Sequence, residues 1–182
     1  MNFNPSESSI SDQCLTIFAL ADMYVRQRKA DDGFRQFQYV AKEIDIRASV
    51  LLAEHVLEMA IKLRFLDDRR KLIEENDRNQ IHVDTYREGA KGVLRGVRWA
   101  LNKLMHQTDI DFSVREQGTV VLSSPETKRD NAIYIPSGLH KDRVVMVLVK
   151  GKQNGRSWDY QFSLAELLNE VLRVLFLSKN NL

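Results

Sequence analysis

The sequence predicts an α+β fold: a mainly helical bundle with a small antiparallel β-meander inserted before a C-terminal helix. Three observations predict it. Apolar residues recur at helical spacing until about His106. Beyond Thr108 the period changes to alternation, as in Ile110, Phe112 and Val114. Ser163-x-x-Glu166 then has the spacing of a capping box and opens a run of Leu164, Leu167, Leu168, Val171, Leu172 and Leu175.

Taken in order, residues 1–10 read as a polar, flexible lead-in. Ser11 and Asp12 are candidate N-caps for a helix reaching about Arg28. A long helical stretch follows from about Asp31 to Leu66, with a break suggested at Asp45 and Ile46. The charged segment Asp67 to Arg78 reads as a solvated short helix or connector. Thr85-x-x-Glu88 is a second capping box, and a helix is expected from there to about His106 despite Gly89, Gly92 and Gly96. Residues 109–162 form the β-region. Within it Thr119 to Leu122, Ala132 to Ile135 and Val144 to Val149 are expected strands, and Asn154-Gly155 is the signal for a two-residue hairpin leading into Trp158, Tyr160 and Phe162. Alternation puts Trp158 on the inner face, where it should be largely buried. The β-region is too small to stand alone, so residues 1–182 read as one domain.

Composition narrows the function classes. The chain has 182 residues, 43% hydrophobic and 29% charged, which is ordinary for a globular domain. A net charge of +2 makes no global electrostatic case for a polyanionic partner or a membrane, so any basic site must be local. The start of the chain lacks a basic segment followed by an apolar one, so no signal peptide is expected. No apolar window is long enough for a membrane span, and no membrane partner is expected. The lone Cys14 sits in an apolar run and reads as a core residue. It cannot form an internal disulfide, which suits a reducing, cytoplasmic location. His55, His82 and His140 share no ligand spacing with one another or with a cysteine, and no glycine-rich phosphate loop occurs. Neither a metal nor another cofactor is therefore expected. His55 reads as a core or interface histidine; His82 and His140 fall in expected connectors.

One stretch carries candidate chemistry. Plotted at about 100° per residue, Lys91, Arg95, Arg98, Asn102 and His106 fall in a stripe roughly 80° wide, with Val97, Leu101, Leu104 and Met105 on the apolar side. Arg98, Asn102 and His106 stand one turn apart. An arginine can hold a phosphate with a forked pair of donors, and an imidazole can move a proton near neutral pH. With an RNA 2′-hydroxyl as internal nucleophile, no metal is needed. Equally, a basic stripe is the ordinary solvated side of a helix, and a histidine at a helix C-terminus is favoured by the helix dipole alone.

Arg98 followed by Asn102-Lys103-Leu104-Met105-His106, with a β-region and a final helix behind it, resembles a prokaryotic subgroup of the HEPN-type helical domains. That resemblance implies a helical bundle acting as a homodimer. It also implies metal-independent endoribonuclease activity, of the kind found in toxin–antitoxin and phage-defence systems. Arg98, Asn102 and His106 would be catalytic, and Lys91, Arg95 and Lys103 would bind RNA. The rival reading is a non-catalytic interaction or nucleotide-binding subunit of a defence or antitoxin complex, acting through a protein partner. Seven residues separate Arg98 from His106, more than is usual in that family, and Trp99 replaces the polar residue that commonly follows the arginine. The Arg–His spacing favours the rival; the Asn102-Lys103-x-x-His106 detail favours the enzyme.

Overall fold

The structure is a computed structural model that describes residues 5–29, 38–73, 80–85, 92–116 and 143–180. The first helix, α1 (Glu7–Lys29), begins earlier than the sequence suggests. The Ser6 hydroxyl accepts the Ser9 N–H at 3.1 Å, as an N-cap does, and Ile10 is fully buried one turn later. Helix α2 (Gln38–Arg70) is 33 residues long and passes unbroken through Asp45 and Ile46. The two helices run antiparallel. Arg70 pairs with Glu7 at 2.7 Å, and the Cys14 thiol lies 3.6 Å from the Met59 sulfur. Burial pushes that thiol up to about 12, which fits the core role expected of Cys14. Further along, the buried Tyr24 hydroxyl donates to the Phe112 carbonyl at 2.9 Å and ties α1 to the sheet.

Of the run read as a solvated short helix or connector, residues 67–70 form the last turn of α2, with Asp68, Arg69 and Arg70 exposed and Asp67 alone of the four buried. Lys71 takes a left-handed φ of 58° and its N–H closes on the Asp67 carbonyl at 2.7 Å. The Asp67 carboxylate accepts the Ile73 N–H at 2.8 Å and is itself wholly buried. A charged run reads as a solvent face, but here one of its carboxylates is the stop that terminates the helix.

The larger correction lies between residues 80 and 96. Two strands, β1 (Gln80–Asp84) and β2 (Val93–Gly96), pair antiparallel, with His82 opposite Leu94. The sequence reading placed a connector and a helix there. Gly92 has φ +62°, and Gly96 is extended, with ψ 149°. These two glycines end any helix the apolar spacing would support, and α3 (Val97–Met105) begins only after the second. The sheet continues with β3 (Asp109–Glu116), β4 (Arg143–Gln153) and β5 (Arg156–Ser163), and α4 (Leu164–Asn180) closes the described chain.

Among the described residues the fold is therefore four helices and a five-stranded antiparallel sheet in the order β2-β1-β5-β4-β3. The α+β class stands. The sheet is larger than a small meander, so the chain is better described as helices layered on a sheet than as a mainly helical bundle. The β4–β5 hairpin turns at Asn154 and Gly155, whose φ of 51° and 75° match a type I′ turn, and Val149 faces Tyr160 as the turn signal predicts. One sheet face carries Ile81, Val83, Phe112, Val145, Val147, Val149 and Phe162, all buried beneath the helices. The other face mixes Val144, Met146 and Leu148 of β4 with polar side chains from its neighbours. On it Lys150 pairs with Asp109 at 3.0 Å, and Arg115 reaches Asp84 at 3.0 Å and Gln161 at 2.6 Å. Ser163 caps α4 by accepting the Glu166 N–H at 3.3 Å. The Glu166 carboxylate reaches sideways instead, taking the His82 backbone N–H of β1 at 2.9 Å. His82 thus lies on a strand and not in a connector.

Among the described residues no helix is long and apolar enough to cross a membrane. The strands expected at Thr119 to Leu122 and Ala132 to Ile135, together with His140, lie outside the described residues.

Candidate functional site

The candidate residues gather around α3, so its placement decides their geometry. Val97, Ala100, Leu101 and Leu104 are buried and fall at helical spacing on one face. They wedge α3 between the end of α2, β2 and the β4–β5 hairpin. The polar side chains are thus carried by a short, well-anchored helix.

Lys91 lies outside the described residues, and Arg95 belongs to β2, not to the helix. The single stripe expected from Lys91 to His106 is therefore interrupted at Gly96. What remains on α3 divides in two. Toward α2, the Arg98 guanidinium lies with Nε 3.3 Å from Asp67 and a terminal nitrogen 3.4 Å from Asp68. Arg64 meets the same two carboxylates at 3.0 and 3.1 Å. Two guanidinium groups thus share two carboxylates, one of them fully buried, and charge is closely balanced there.

The other side of α3 holds a cation among aromatic rings. The Lys103 ammonium lies 4.5 Å from the Trp158 ring centre, 5.3 Å from that of Tyr160 and 5.8 Å from that of Trp99. Its nearest polar partner among the described residues is the Gln153 amide oxygen at 3.4 Å. Partial burial lowers the Lys103 ammonium below the usual lysine range. The rings pack on one another as well: Trp158 and Tyr160 stack at 5.4 Å, and Trp99 meets Tyr160 edge-on at 4.7 Å. Arg95 caps the cluster, 5.7 Å above the Trp99 ring. Trp158 is partly buried and packs against the core, on the face its alternation gives it. Its cross-strand neighbour is Gly151, and the indole lies so tightly on that glycine that a Cβ there would fall 2.1 Å from the ring.

Between the two sides stand Asn102 and His106. Asn102 is half-buried, and its carbonyl accepts the His106 N–H at 3.1 Å. His106 is the C-cap of α3 with an exposed side chain. His55, on α2, is half-buried, its Nδ1 in a hydrogen bond with the Gln13 amide. That suits the satisfied role expected of it.

No family model, no curated protein and no solved structure matches this chain.

The aromatic members of the cluster were not among the expected site residues. Two signals point to them: Trp99 and Lys103 are one helical turn apart, and Trp158 and Tyr160 alternate just after the hairpin turn. Nothing local in sequence joins the two halves, because only the packing of α3 against the hairpin brings them together.

Proposed function

We propose that this chain acts on RNA at the C-terminal end of α3, as a HEPN-like, metal-independent endoribonuclease. The observation that carries the reading is the exposed His106 imidazole, held at the end of an anchored helix with Lys103 one turn before it. His106 would serve as general acid or base, and Asn102 would orient it. Lys103 and Arg95 would meet the RNA phosphates. Arg98 is already engaged by Asp67 and Asp68, so a phosphate would have to compete with two carboxylates for it. That arrangement gives Arg98 the role of fixing α3 to α2 before any role as a phosphate clamp.

The same observation favours the second reading, a non-catalytic RNA- or nucleotide-binding subunit. A homodimer fits either reading. Leu15 and Phe18 of α1 and Val40, Ile44 and Leu51 of α2 are 41–62% exposed, and a second copy would cover such side chains.

The test is to incubate the purified chain with a mixed RNA pool, with and without EDTA, beside His106→Ala. The enzyme reading expects cleavage that survives EDTA, products ending in a 2′,3′-cyclic phosphate, and a loss of about 10²–10⁴-fold in the variant. RNA bound but not cut by the wild type, or cut equally by the variant, would hand the site to the binding reading.

A further inference from the structure

The Trp158–Tyr160 pair has a shape that its role in the core does not require. Here the inner side of the Trp158 indole rests on the backbone of β4 at Gly151, where any side chain would collide with it. Among the described residues, the Lys103 ammonium also lies over the indole, 4.5 Å from the ring centre. Tyr160 stacks on the indole, its ring centre 5.4 Å away and its plane inclined 26°. Trp99 stands against Tyr160 at 74°. The stacked pair thus forms a shelf and the third ring a wall, with the Lys103 cation 4.5–5.8 Å from the three ring centres.

We infer that this shelf is a stacking subsite for an unpaired nucleobase of a single-stranded nucleic acid, covered in the free protein by the Lys103 side chain. The inference deepens the RNA reading of α3 and rests on it for the polyanion, while naming the substrate class: strands with bases free to stack. The chemistry favours exchange. A cation over a partly exposed ring contributes less than a stacked base does. The displaced Lys103 ammonium is partly desolvated over the rings and recovers a counter-charge on the adjoining phosphate. Further cations border the shelf. Arg95 lies over Trp99, and the exposed Arg156 sits two residues before Trp158 on the same face of β5. Rings interleaved with cations match the alternation of base and phosphate along a single strand. In a duplex the base faces are already stacked on one another, so the shelf has nothing to receive.

The experiment follows tryptophan fluorescence as the full chain is titrated with a 2′-O-methyl oligouridylate, which lacks the nucleophile for cleavage. The comparison ligands are a length-matched RNA duplex, inorganic polyphosphate and polyglutamate. The inference expects quenching by the single strand and binding at least about tenfold tighter than to the duplex. Trp158→Ala should weaken single-strand binding about tenfold, the loss of one stacked base, and leave polyphosphate binding unchanged. Trp158→Phe, which keeps a ring over Gly151, should retain most of the affinity and stands in if the alanine variant does not fold. Equal affinity for single strand and polyphosphate, or binding unaltered in Trp158→Ala, would overturn the inference. So would polyglutamate displacing the oligonucleotide stoichiometrically, because an acidic protein partner would then own the surface. The two proposals fail separately. Cleavage of natural RNA without base-dependent quenching removes the shelf and keeps the enzyme; base-dependent quenching without cleavage keeps the shelf and removes the enzyme.

Discussion

The two sides of α3 hold their cations by different means. Arg98 faces the end of α2, where Asp67 and Asp68 meet both it and Arg64. Lys103 faces the hairpin, where its partners among the described residues are ring faces and one amide oxygen. A carboxylate neutralises the charge it holds; a ring face holds the side chain and leaves the charge. The two residues are five positions apart, yet one is paired with carboxylates and the other lies among rings. The α2 side should therefore govern stability and the hairpin side should govern binding.

The comparison can be broken most forcefully at Asp67. Asp67→Ala removes the acceptor for the Ile73 N–H and leaves Arg64 and Arg98 with the exposed Asp68 carboxylate, so it should cost about 3 kcal/mol. Chemical denaturation reads this directly, and a midpoint within error of wild type would show that the carboxylate is not the anchor. On the other side, Gly151→Ala puts a methyl where the Trp158 indole lies. The indole must lift, at a cost of about 1–3 kcal/mol, with a change in tryptophan emission that Asp67→Ala should not produce.

These two sites also show what was legible in the sequence and what was not. The β4–β5 hairpin was legible because Asn154-Gly155 is a local signal that fixes its own backbone. The Ser163 cap was legible for the same reason. The strands β1 and β2 were not: each is five residues or fewer, and β2 runs straight into α3, so its apolar residues continue the helical pattern. The burial of Asp67 was hidden because charge predicts solvent, and only the turn to Ile73 explains a carboxylate in the interior. At the candidate site, the basic character of α3 could be read from its wheel. Which cation is neutralised and which is caged depends on contacts thirty and more residues away.

A smaller effect sharpens the comparison by pH. Desolvation lowers the Lys103 ammonium below the usual lysine range, so it loses its proton at a lower pH than an exposed lysine does. The neutral form is the one favoured by burial. RNA affinity should therefore decline on the alkaline side before ordinary lysines titrate, and Lys103→Arg, which keeps its charge, should abolish that early decline. Filter binding across the alkaline range checks it, and identical profiles for the two proteins would remove Lys103 from the interface.

The most direct test of the account compares Lys103→Ala with Arg98→Ala in one assay: the affinity for single-stranded RNA as a function of salt, at matched folded fractions. The account predicts that Lys103→Ala weakens binding and reduces the steepness of the salt dependence by about one phosphate contact, while Arg98→Ala lowers stability and leaves both quantities near wild type. The reverse result, with Arg98→Ala losing affinity and salt dependence and Lys103→Ala retaining them, would contradict it.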